Sequence, residues 1–175
     1  MMTQIIEDQQ KRSHGKALSL KTQVEALSLY EQDILLWVED TIAKLKSGDF
    51  VNLDLVNLIE EVESVGISQK RQLSSRLMVL LEHLLKRMYV NSTYDNNGWE
   101  RTIRTQRNHL LLLLKQVPSL KTYWSQSFED AWEIALKTVQ EDYPSVDFPD
   151  RFPYSTEVEM LLNKKYWLST ESEKN

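Results

Sequence analysis

Residues 54–90 read DLVNLIEEVESVGISQKRQLSSRLMVLLEHLLKRMYV, and this stretch decides the fold. Leu55, Leu58, Ile59 and Val62 recur at the three-to-four-residue spacing of one helix face. Leu73, Leu77, Leu80, Leu81, Leu84 and Met88 repeat that spacing. Val62 and Leu73 lie 11 residues apart, three helical turns, so the two stripes are in phase. Asp54 is a good N-cap, with Leu53 and Leu58 placed for a hydrophobic staple around it. The pattern predicts one long helix over 54–90, or two nearly coaxial helices with a kink at Gly66. A glycine inside a helix costs about 1 kcal/mol relative to alanine, but its lack of a side chain suits close approach of a partner helix.

The same period continues on both sides. Ile34, Trp37, Val38, Thr41, Ile42 and Leu45 predict a helix over Tyr30–Ser47, closed by Gly48 in the left-handed position. Asn91–Gly98 is a loop of turn formers. Trp99–Gln116 follows as a helix with Trp99, Ile103, Gln106, Leu110, Leu113 and Leu114 inward. Pro118 ends it and suits the first turn of a helix over Ser119–Asp142, which buries Leu120, Trp124, Phe128, Ala131, Ala135 and Val139. Pro144, Pro149 and Pro153 then forbid regular helix, and Phe148, Phe152 and Tyr154 between them suggest an extended strap. Thr156 and Glu159 have the spacing of a capping box and start a short helix through Asn163. Four main helices with short connections predict an all-α fold, an antiparallel bundle with a short C-terminal helix. Residues 1–26 read as a loosely ordered arm, 27–168 as a single helical-bundle domain, and 169–175 as a disordered tail.

Composition agrees. The chain has 175 residues, 41% of them hydrophobic, with only four Gly and four Pro, too few for the tight turns of an all-β fold. There is no Cys, hence no disulfide framework and no thiol chemistry. The first residues lack the apolar core of a signal peptide, and the longest apolar run, Leu110–Leu114, is far short of a membrane span. The expectation is a cytoplasmic protein without membrane contact. Net charge is −5, unevenly spread. Residues 1–69 carry 6 basic and 12 acidic side chains, 70–109 carry 8 and 3, and 110–175 carry 7 and 11, so −6, +5 and −4 sum to −5.

The segments YEQDILLWVEDTIAKLKSGDF, LDLVNLIEEVESVGISQKRQLSSRLMVLLEHLLK, WERTIRTQR, PSL and FPYS, in that order, resemble a bacterial family abundant in cyanobacteria, domain of unknown function number twenty-nine. The resemblance runs from Tyr30 to Leu162 and implies an all-helical domain. The family has no established activity, so it implies no catalytic residue. This chain departs from it in a longer N-terminal arm and in Val117 before Pro118, where the family often has a polar residue.

Three constellations carry possible chemistry. Glu60, Glu61 and Glu63 with Glu82 and His83 are the residue types of a helix-bundle metal site. The Glu-x-x-His spacing is missing, however, and Glu82 and His83 point about 100° apart on a helix. A solvated acidic face is the simpler reading, and no metal or cofactor is expected. Arg101, Arg104 and Arg107 lie at i, i+3 and i+6 within a basic stretch, residues 70–109. They suit phosphate contacts or bidentate pairing with Glu60, Glu61 and Glu63, and the acidic chain favours pairing. Trp99 beside them is expected in the core, with a cation–π contact or pocket rim as the alternative. Trp167 reads as an exposed docking residue of the tail. Nucleotide loops, zinc-protease, nucleophile-elbow and calcium-loop motifs are absent.

These observations lead to a non-enzymatic interaction module, an adaptor or antitoxin-like protein whose partner is another protein. A nucleic-acid-binding module through residues 70–109 is the alternative. A metal-dependent hydrolase or nuclease on Glu60, Glu61, Glu63, Glu82 and His83 is the second alternative.

Overall fold

The computed structural model describes residues 27–90 and 92–167. The expected N-terminal arm and the tail beyond residue 168 lie outside the described residues. Among these residues the chain is all-α, with six helices and no strand. Its backbone gathers into two compact units that divide between Glu61 and Val62.

The first unit holds α1 (Leu29–Gln32), α2 (Ile34–Ser47) and the first two turns of α3 (Leu55–Tyr89). The helix predicted over Tyr30–Ser47 is two helices. Asp33 is extended, with φ −155° and ψ 99°, and its Oδ1 accepts the backbone N–H groups of Leu35 at 3.0 Å and Leu36 at 3.1 Å. An aspartate offers free N–H groups an alternative to the helical ladder, so it starts a new helix where the apolar pattern runs on unbroken. Ser28 and Glu31 form a capping box around α1. Gly48 closes α2 at φ 75°, a conformation that costs a side-chain-bearing residue strain.

Asp54 begins α3 as predicted: its carboxylate accepts the Asn57 backbone N–H at 3.3 Å and the Asn57 side-chain amide at 2.7 Å. The helix then runs unbroken through Gly66 to Tyr89. Among the described residues the suggested close approach at Gly66 is not seen, since a Cβ added there meets none of their atoms within 4 Å.

In the second unit, Leu73, Leu77, Leu80, Leu81 and Leu84 of α3 are fully buried. They pack with Ile103, Leu110, Leu113 and Leu114 of α4 (Asn96–Gln116), with Leu120, and with Trp124, Phe128, Ala131 and Ala135 of α5 (Trp124–Asp142). Leu161 and Leu162 of α6 (Val158–Asn163) close this core. A smaller cluster joins Leu85, Val139 and Phe148. Burying each such leucine contributes about 2 kcal/mol. Helix α4 starts three residues before Trp99, because Asn96 and Gly98 accept helical geometry. Residues Pro118–Tyr123 form a 3-10 turn instead of the first turns of a longer α5.

The proline-rich strap is held by aromatics. Trp132 Nε1 donates to the Asp150 carbonyl at 3.2 Å, and Trp124 Nε1 donates to the Thr156 carbonyl at 2.7 Å. Phe152 meets Phe128, Trp132 and Tyr166 edge-on, each with ring centroids 5.6 Å apart. The capping box expected from Thr156 and Glu159 does not form: Glu157 is the N-cap of α6, and no side chain caps it. The indole of Trp124 takes the Thr156 carbonyl and so sets the path of the chain there.

Candidate functional site

The first unit leaves most of its apolar stripe in water. Of the six positions expected to face inward on α2, only Trp37 and Thr41 are buried. Ile34, Val38, Ile42 and Leu45 are between 37% and 50% exposed, and Leu55 and Ile59 on the start of α3 exceed 50%. Phe50 and Val51, between the helices, are exposed as well. The expectation of a buried stripe on these segments is therefore corrected. Helical periodicity shows that a face is apolar, and only the neighbours that come to lie on it decide whether water is excluded.

Polar residues tie this unit together. Tyr30 Oη donates to Glu61 Oε1 at 2.6 Å, and Trp37 Nε1 donates to Asp54 Oδ2 at 3.1 Å. The Tyr30 and Trp37 rings meet edge-on at 5.0 Å. The bond to the Glu61 carboxylate, with burial and the charges of Glu61, Glu60 and Asp54, raises the Tyr30 pKa. Hydrogen bonds from Asn57 and Trp37 outweigh burial and lower that of Asp54. Between residues 27 and 61 the chain carries eight acidic and two basic side chains, net −6. Glu60 is exposed.

In the second unit part of the basic stretch is engaged by carboxylates, amides and rings of the same chain. Lys86 bridges Glu82 at 2.7 Å and Asp142 at 3.0 Å. Burial alone would lower its pKa, but the two carboxylates outweigh that and raise it. Arg87 pairs with Glu100 at 2.8 Å, Arg76 donates to Gln106 at 3.3 Å, and the Lys70 ammonium sits 4.0 Å from the Tyr123 ring centroid. Arg107 donates to the Lys164 carbonyl. Arg101 and Arg104 are exposed, as is Glu63, and among the described residues no ion pair joins Glu63 to these arginines.

Glu82 and His83 are committed elsewhere. His83 Nδ1 lies 2.9 Å from the Val79 carbonyl, which only accepts, so Nδ1 carries the proton. Among the described residues no three His, Cys, Asp or Glu side chains are placed to hold a metal ion. Trp99 is buried, with its ring edge-on to Tyr143 at 6.5 Å. Trp167, expected to be an exposed docking residue, is instead half-buried with the Arg87 guanidinium 5.3 Å from its ring centroid. It lines a cleft of about 330 Å³ with Ile103, Arg104, Arg107, Leu162 and Lys165. Lys165 and Trp167 lie some 60 residues beyond Arg104 and Arg107, and no local pattern announces that they share a cleft with them.

Fold and surface together define an all-α protein with exposed apolar side chains in an acidic first unit and a basic cleft in its second. No helix among the described residues is long and apolar enough to cross a membrane. The chain belongs to the family described as domain of unknown function DUF29, which it matches over residues 29–167. Comparison with curated proteins and with solved structures finds no match.

Proposed function

We propose that this protein is a non-enzymatic protein-interaction module. The observation that carries the reading is the bare apolar face of the first unit, formed by Ile34, Ile42, Leu45, Leu55 and Ile59. Large apolar side chains left in water in this number mark interaction sites in folded proteins. The net charge of −6 over residues 27–61 supports one class of occupant: an amphipathic segment of another protein, apolar along one side and basic along its flanks. The basic stretch 70–109 gives less support to a nucleic-acid interface, because Lys86 and Arg87 already face carboxylates and Lys70 a tyrosine ring.

The test compares the full chain with an Ile42→Glu, Ile59→Glu double variant. Both positions are exposed, so the variant keeps the fold and loses only a few °C of melting temperature. The expected result is a partner recovered from the native host in stoichiometric amount. Its binding weakens with salt and is lost in the variant. Recovery of no stoichiometric protein would refute the reading, as would equal recovery by the variant or closure of the face on a second copy alone.

A further inference from the structure

The cleft between α4 and the segment after α6 carries unused charge. Arg104 is exposed, and among the described residues neither it nor Arg107 has a carboxylate at ion-pair distance. Glu100 also lines the cleft, but its charge is met by Arg87 at 2.8 Å. Lys165 adds a third cation. Two N–H donors of the lining, Arg107 Nε and Trp167 Nε1, are buried with no acceptor among the described residues. Leaving one buried donor unsatisfied costs about 1–3 kcal/mol, so a polar orphan in a native fold calls for a reason.

We propose that this cleft is a binding site for the phosphate monoester group of a small molecule, held by Arg104, Arg107 and Lys165. Three cations against one neutralised carboxylate match a dianion better than a single carboxylate. The guanidinium fork suits the oxygens of a phosphate. A volume of about 330 Å³ lies at the low end of small-molecule clefts. Both Arg87 and Lys165 lie against the Trp167 ring, at 5.3 and 5.6 Å from its centroid, so a nucleic-acid base would compete with them for the indole. The Arg107 guanidinium is desolvated, which weakens its charged state, and an incoming dianion would compensate that loss. Reaching Arg107 Nε and Trp167 Nε1 takes a side-chain rotation, because both atoms are covered in the free protein.

Calorimetric titration of the full chain with glycerol 3-phosphate, inorganic phosphate and acetate at matched ionic strength tests the site. The expected result is one site for glycerol 3-phosphate, filled near 1 mM or below (about −4 kcal/mol). Inorganic phosphate binds the same site, and acetate does not. Arg104→Gln and Lys165→Gln each weaken binding about threefold to tenfold, and both are surface changes that preserve folding. Arg107→Lys weakens it further by losing the fork while keeping the charge. Absence of phosphate binding at about tenfold that concentration would overturn the proposal. So would acetate binding as tightly as phosphate, or wild-type affinity in the Arg104→Gln, Lys165→Gln double variant.

Discussion

Ile59 and Leu77 sit 18 residues apart on α3, five full turns, and therefore on the same side of one helix. The structure gives them opposite surroundings: Leu77 is 0% exposed and Ile59 is 56% exposed. Replacing each with alanine isolates the effect of what covers them. Leu77→Ala removes a fully buried side chain from a packed core, which costs transfer free energy and leaves a cavity, about 3 kcal/mol together. Ile59→Ala removes a side chain with less than half its surface buried, about 1 kcal/mol. The better helix propensity of alanine returns a few tenths of that, leaving roughly 0.5 kcal/mol. At about 2–4 °C per kcal/mol for a chain of this size, Leu77→Ala lowers the melting temperature by about 6–12 °C and Ile59→Ala by about 1–2 °C. Far-ultraviolet circular dichroism follows the melt. Hydrogen exchange over 73–84 and 34–47 reads the two units separately, since they need not unfold together. Equal destabilisation by the two substitutions would show that the first turns of α3 are covered in the isolated protein, and the interaction surface would be withdrawn.

Three further outcomes follow from the geometry. Gly66→Ala raises stability by about 0.5–1 kcal/mol, because alanine is the better helix former and its Cβ meets open space; a drop in the urea midpoint would mean that something packs there. Asp54→Ala costs about 1 kcal/mol of cap stability. The folded Asp54 pKa is lowered, so in the wild-type protein its contribution is fully present above the ordinary carboxylate value, about 4. It is lost as the pH falls through the lower folded value, and the difference in stability between wild type and variant should vanish over that acid range. Trp124→Phe removes the 2.7 Å donor to the Thr156 carbonyl and costs about 1–3 kcal/mol, with faster exchange in residues 152–162; unchanged protection there would refute the role of the indole in holding the strap.

Much of this was legible along the chain. The stripe from Leu73 to Leu84 predicted the core, and every leucine in it is buried. Asp54 and Gly48 marked helix ends through local chemistry that depends only on adjacent residues. Asp33 carries the same kind of signal, but the apolar period runs on unbroken around it. The capping box at Thr156 does not form: the helix starts one residue later with Glu157 as N-cap, and the Thr156 carbonyl accepts the indole of Trp124, 32 residues away. The arginines were visible as a helical series, but their surroundings were not. Arg107 meets the Lys164 backbone 57 residues on, and the aromatic ring near it is Tyr166.

What the sequence by itself determined is the set of helices and the apolar side of each, because hydrogen bonding along a helix and the period of its side chains are properties of neighbouring residues. Only the tertiary structure decided which lengths of those stripes lie in a core and which remain in water. It also decided that Arg104 and Arg107 share a cleft with Lys165 and Trp167. Burial and cleft formation depend on which distant segments come to rest on a surface, and that information is spread over the whole chain.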